Sequence, residues 1–90
     1  MILATTKVKD VDHWLTIYST TSAEKRAEHG SKGSTVFRDP SDEHRVWVLF
    51  DWDEEGLTSF MSDPAVPPIL QEAGHLEKAS AATFVGTYGS

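Results

Sequence analysis

The stretch Arg45-Val46-Trp47-Val48-Leu49-Phe50-Asp51-Trp52 is the most apolar run of the chain and reads as a strand. Side chains alternate between the two faces of a strand. Val46, Val48, Phe50 and Trp52 therefore share one side, and Trp47 and Leu49 the other. Large apolar residues on both sides call for cover on both. Leu3 and Phe37 are further candidates for the second apolar surface.

Upstream, Ser34 to Arg38 reads as a strand joined to this one by Asp39-Pro40-Ser41-Asp42, a dense run of turn residues, which predicts an antiparallel hairpin. Ile2 to Val8 forms the first strand and Ala79 to Tyr88 the last. Asp10 is placed to cap a helix on which Val11, Trp14, Leu15 and Tyr18 share one face. Ser19-Thr20-Thr21-Ser22 is weak helix material, because hydroxyl side chains compete for backbone hydrogen bonds. Thr21 and Glu24 have capping-box spacing, so the segment is one helix with a weak middle or two abutting helices, ending at Gly30. Asp53 caps a helix with Leu57, Phe60 and Met61 inward, and Asp63-Pro64 ends it. Pro67-Pro68 opens a short helix through Ile69 and Leu70, closed by Gly74.

The order is β-α-β-β-α-β, an α+β, ferredoxin-like antiparallel sheet with helices on one face, in a single domain spanning residues 1–90. The helices cover one face of such a sheet and leave the face of Trp47 and Leu49 bare. Soluble monomers generally avoid an apolar patch of that kind, so a homodimer sealed through Trp47 and Leu49 is expected. The chain has no Cys to reinforce a small core with disulfides, and association is a common alternative.

A net charge of -6 with scattered Lys and Arg argues against nucleic acid or an anionic membrane as a partner. The acidic groups at Asp39, Asp42 and Glu43, and at Asp51, Asp53, Glu54 and Glu55, read as solvated loops. No run approaches the roughly 18 apolar residues of a membrane span. Met1 leads directly into a strand without the basic and apolar regions of a signal peptide, so a cytoplasmic location is expected.

Three stretches carry a resemblance. They are Val8-Lys9-Asp10-Val11-Asp12-His13-Trp14, the segment from Val36-Phe37-Arg38-Asp39-Pro40 through Phe50-Asp51-Trp52-Asp53, and Phe60-Met61-Ser62-Asp63-Pro64 with the helix ending Ala73-Gly74. Together they are similar to small dimeric α+β barrel proteins of the antibiotic-biosynthesis-monooxygenase-like group. The resemblance implies two sheets packed face to face and, in each subunit, a pocket between sheet and helices. It covers cofactor-free monooxygenases, polyketide cyclases, isomerases and haem-handling enzymes, so it selects no single reaction.

The aromatic residues Trp14, Tyr18, Phe50, Phe60 and Phe84 are candidates to wall a pocket for a flat apolar substrate, or simply to fill a core. Tyr18 offers a polar handle. His29 falls on the face of Val11 and Tyr18 if the helix is continuous, which makes it a candidate acid–base group or, alternatively, a cap for the last carbonyls. Tyr18 and His29 are thus the candidate catalytic pair. His13 and His44 read as surface residues, and His75, after Gly74, as a loop residue or one at a pocket mouth. No histidine pair has metal-ligand spacing, and no Gly-rich phosphate loop or nucleophile elbow is present, so no metal and no cofactor is expected. The expected function is a cofactor-independent monooxygenase, cyclase or isomerase of secondary or catabolic metabolism, acting on a small apolar or aromatic molecule. The alternative is a non-catalytic dimeric ligand-binding or structural module.

Overall fold

The computed structural model describes residues 1–89. Strands β1 (Ile2–Lys7), β2 (Ser34–Asp39), β3 (Asp42–Phe50) and β4 (Ser80–Thr83) form one antiparallel sheet in the order β2-β3-β1-β4. The helices are α1 (Val11–Tyr18) and α2 (Thr21–Glu28) between β1 and β2, and α3 (Glu54–Met61) and α4 (Val66–Glu72) between β3 and β4. No helix among the described residues is long and apolar enough to cross a membrane.

The alternation in β3 is as read from the sequence. Val46, Val48 and Phe50 are buried, as is Trp52 just beyond the strand, and they form one cluster with Val11 and Trp14 of α1, Phe60 of α3 and Val66 of α4. Trp47 and Leu49 lie on the opposite, open face and are half-buried. Cross-strand register sets Phe37 beside Trp47 and Leu3 beside Leu49, so both belong to that open face, where Leu3 is 40% and Phe37 49% exposed. The Trp47 indole N–H donates to Asp39 Oδ2 at 2.9 Å, which satisfies the ring's polar edge within the chain. That bond, with the Ser41 backbone N–H, holds the Asp39 carboxyl below its ordinary range.

Both helix starts expected from Asp residues are present. Asp10 accepts from the His13 backbone N–H at 3.1 Å and Asp53 from that of Gly56 at 2.7 Å. The Gly at position 56 is required by space: a Cβ there would lie 2.6 Å from the His29 carbonyl oxygen and run into the Trp52 indole, which donates to that same oxygen at 2.9 Å.

The hydroxyl run breaks the first helical segment in two. Ser19 Oγ donates to the Leu15 carbonyl at 2.7 Å and Thr20 Oγ1 to that of Thr16 at 2.6 Å, while α2 starts afresh from Thr20. The Thr21–Glu24 capping box is not formed, because Thr21 already lies inside the helix and Thr20 caps it without a side-chain bond. Gly30 follows α2 with φ +89°, as its reading as a helix terminator requires.

All four strands end differently from the sequence reading, β1 and β2 by one residue and β3 and β4 by more. β3 begins at Asp42, earlier than Arg45, because Asp39 and Asp42 pair directly across the Pro40-Ser41 turn. The last strand is Ser80–Thr83, not Ala79 to Tyr88. It pairs with β1 alone, and Thr83 already opposes Ile2. Beyond that pair the Phe84 N–H reaches the Met1 carbonyl at 3.3 Å, outside the regular ladder.

Candidate active site

Ala4 of β1 and Ala81 of β4 are cross-strand partners on the face of the sheet that carries the helices, Ala4 half-buried and Ala81 exposed at its edge. Where longer side chains would fill the space beneath the helices, these small ones leave a cavity of about 420 Å³. Trp14 and Tyr18 of α1 form one wall, with ring centroids 4.6 Å apart. Phe50, Trp52 and Phe60 form another, in successive contacts of 5.4 Å between centroids. Four of the expected substrate-binding residues, Trp14, Tyr18, Phe50 and Phe60, thus meet at one cavity. Phe84 does not join them: it lies past the end of β4 and is 54% exposed.

Polar groups enter at the two ends of the Trp14–Tyr18 wall. At one end, the Trp14 indole N–H donates to His75 Nε2 at 3.1 Å. That bond requires a lone pair on Nε2, so the proton of the neutral ring is on Nδ1, facing Thr6 Oγ1 at 3.5 Å. Thr6 in turn donates to the Glu77 carbonyl at 3.2 Å, so every donor in the row has an acceptor. Burial pushes the His75 pKa below the ordinary 6.5, and protonation would set an Nε2–H against the indole N–H.

This gives a pH dependence of definite sign. Between the folded pKa of His75 and 6.5 the unfolded chain binds more protons, so stability is complete above 6.5 and declines as pH falls through that window. NMR titration of the imidazoles is expected to show the His75 proton on Nδ1 and a midpoint below 6.5; a midpoint above 6.5 would refute the assigned network.

At the other end stands Arg26 of α2, a side chain that apolar periodicity gave no reason to select. Only 7% of it is exposed. Nη1 donates to Ser22 Oγ at 2.8 Å, Nη2 donates to the Tyr18 carbonyl at 2.9 Å, and Cζ sits 3.6 Å over the centre of the Tyr18 ring. The Tyr18 hydroxyl shares a 2.6 Å hydrogen bond with Ser34 Oγ. Burial raises the Tyr18 pKa, against the smaller opposing effects of Ser34 and Arg26, so the phenol stays protonated at neutral pH.

His29, the other expected acid–base residue, does not line this cavity. Its predicted position assumed a continuous helix, and the break resets the helical phase so that Arg26 turns inward instead. The His29 ring bonds Ser59 Oγ at 2.7 Å and Asp63 Oδ2 at 3.0 Å. It caps no carbonyl with its side chain. The His29 hydrogen bond, the Ala65 backbone N–H and Lys25 hold Asp63 down at about 2. Glu28, His29 and Asp63 present donor atoms within 4.8 Å of one another, a grouping the sequence did not suggest. The cation among them is already Lys25, whose ammonium reaches Glu28 at 2.9 Å and Asp63 at 3.4 Å. His13 and His44 serve structure, contacting the Glu72 carbonyl at 2.8 Å and the Val8 carbonyl at 3.1 Å.

No protein-family model matches the sequence, and no curated protein matches it significantly. Solved structures do. A cofactor-independent oxygenase, SnoaB from Streptomyces nogalater, superposes with a TM-score of 0.71 at 15% identity, covering 99% of this chain and 95% of its own. An antibiotic biosynthesis monooxygenase matches with a TM-score of 0.66 at 15% identity over 97% of each chain. A conserved protein from Methanosarcina mazei Go1 gives 0.63 at 16% identity, covering 90% of this chain and 85% of its own. At these identities the likeness is one of architecture: the chain has the ferredoxin-like α+β fold of the antibiotic-biosynthesis-monooxygenase-like proteins.

Proposed function

We propose that the protein is a cytoplasmic small-molecule enzyme that holds one flat, apolar or aromatic substrate between sheet and helices and oxygenates, cyclises or isomerises it. The observation that carries this reading is the cavity of about 420 Å³, walled by aromatic rings, that of Tyr18 among them, and bordered by Arg26 and His75. Ligand sites of this volume are ordinary, but a 90-residue chain holds such a space only at the expense of its core. Catalysis in such a pocket works by fixing a reactive conformer and supplying an acid–base group. The protonated Tyr18 hydroxyl can donate to an oxygen as negative charge develops on it. Neutral His75 can accept a proton when a ligand displaces the Trp14 N–H from Nε2. The fold shared with a cofactor-independent oxygenase supports the oxygenase form of the reading.

The test is to screen flat aromatic compounds for quenching of tryptophan fluorescence, then to follow the binders under air by mass spectrometry. Gain of an oxygen atom identifies an oxygenase, and rearrangement without it a cyclase or isomerase. Tyr18→Phe is expected to lower turnover of the identified substrate by about 100-fold while leaving binding largely intact. Unchanged turnover in Tyr18→Phe, Trp14→Phe and His75→Asn alike would overturn the site. One observation favours the alternative of a binding module: the Trp14, His75 and Tyr18 polar atoms already have protein partners. Binding without turnover would decide for it.

We also propose that the open sheet face pairs with a second copy of the chain. Leu3, Phe37, Trp47 and Leu49 make it a continuous apolar surface, and the only polar atom of the Trp47 side chain is already bonded within the chain.

A further inference from the structure

We infer that the cavity takes a ligand carrying an ionised oxygen group, a carboxylate or an acidic phenol or enol, which docks on the guanidinium of Arg26. This rests on the reading of the cavity as a ligand site and adds the chemical class of what enters it.

A buried guanidinium is normally compensated by a carboxylate, because removing an isolated charge from water is expensive. The chain has 14 acidic residues against 8 basic ones, so carboxylates are plentiful. Its other two arginines have them: Arg38 pairs with Asp12 at 3.1 Å and Arg45 with Glu77 at 3.3 Å. Lys7 and Lys25 are paired as well. Arg26 is the most buried of these cations, and among the described residues no carboxylate reaches it.

Its contacts are all neutral: a hydroxyl, a carbonyl and the face of a phenol ring. They use one N–H on each terminal nitrogen. Nε–H and a second N–H on each terminal nitrogen are left, and the side chain borders the cavity. α2 has no apolar side chain larger than Ala, and Ser22 and Arg26 are its two buried residues, so the helix faces the cavity with a hydroxyl and a charge. An anion completing this site would lie at one end of the Tyr18–Trp14 wall, its flat body stacked against the rings. A guanidinium's planar fork suits an oxyanion better than any neutral polar group.

The probes are 2-naphthoate, the nearly isosteric neutral 2-naphthamide, and a nitronaphthol that is ionised at neutral pH, each titrated by calorimetry into the intact protein. Either anion is expected to bind about 10- to 100-fold more tightly than the amide, and which of the two is preferred distinguishes carboxylate from phenolate. Arg26→Gln should abolish that preference and Arg26→Lys should keep part of it. Should Arg26→Gln fail to fold, the wild-type protein still decides: the Arg26 Nε–H resonance should shift with the anion and not with the amide. Equal binding of all three, a preference that survives Arg26→Gln, or an unmoved Arg26 resonance would overturn the inference while leaving the ligand site standing. No binding by any of the three would overturn both.

Discussion

Replacing Leu49 with Asp is expected to disrupt the dimer proposed above, weakening self-association by at least about 100-fold. Leu49 lies on the open sheet face beside Leu3 and Thr35, half-buried within its own chain. A carboxylate there stays hydrated in a monomer. In a two-fold interface it is desolvated twice, once per subunit, opposite apolar side chains. The lone chain therefore tolerates the change and the pair does not. Sedimentation equilibrium at micromolar concentration measures both species. A monomeric wild-type protein would dispose of the dimer. A Leu49→Asp protein that associates as before would show that the subunits meet elsewhere.

Trp52→Ala is expected to destabilise the fold by about 3–5 kcal/mol, most of what a small domain has. Trp52 is 4% exposed, touches Phe50 and Phe60 through its ring and fixes the end of α2 through the His29 carbonyl. Trp52→Phe separates the two contributions. It keeps an aromatic filler and loses the N–H, so a smaller loss of about 1–2 kcal/mol is expected. Urea unfolding at fixed protein concentration measures both, since association would otherwise shift the midpoint. A Trp52→Ala loss below about 1 kcal/mol would contradict the packing described for α3.

What the sequence disclosed and what it withheld divide along the range of the forces involved. Alternation in β3 and the Asp10 and Asp53 caps depend on neighbours a few residues away, and each was legible. The extent of β4 depends on its register with β1, a partner far away in sequence, and local residue pattern alone extends the last strand too far. Trp14, Tyr18, Phe50 and Phe60 could be placed toward the interior by periodicity, although periodicity cannot tell a filled core from a hollow one. The hollow arises from Ala4 and Ala81 meeting across two strands.

Among the histidines the difficulty was helical phase. An inward His29 requires an unbroken helix, while His75 owes its position to the turn at Gly74, φ +84°, that brings it back beside Val8. Arg26 left one trace. Trp14, Tyr18, Ser22 and Arg26 recur at intervals of four and all border the cavity, a stripe that hydrophobicity alone does not reveal.

The interruption between α1 and α2 has a consequence for that stripe. In an unbroken helix the Tyr18 carbonyl would be consumed by the Ser22 backbone N–H, four residues on. Because the chain re-enters at Thr20, that oxygen is released from the backbone ladder and meets Arg26 Nη2 instead. The hydroxyl run that looks like poor helix material thus acts as a joint: it supplies a vacant acceptor and swings the next turn round to use it. A cation can be seated inside this small protein because its longest helical stretch was made imperfect at one place.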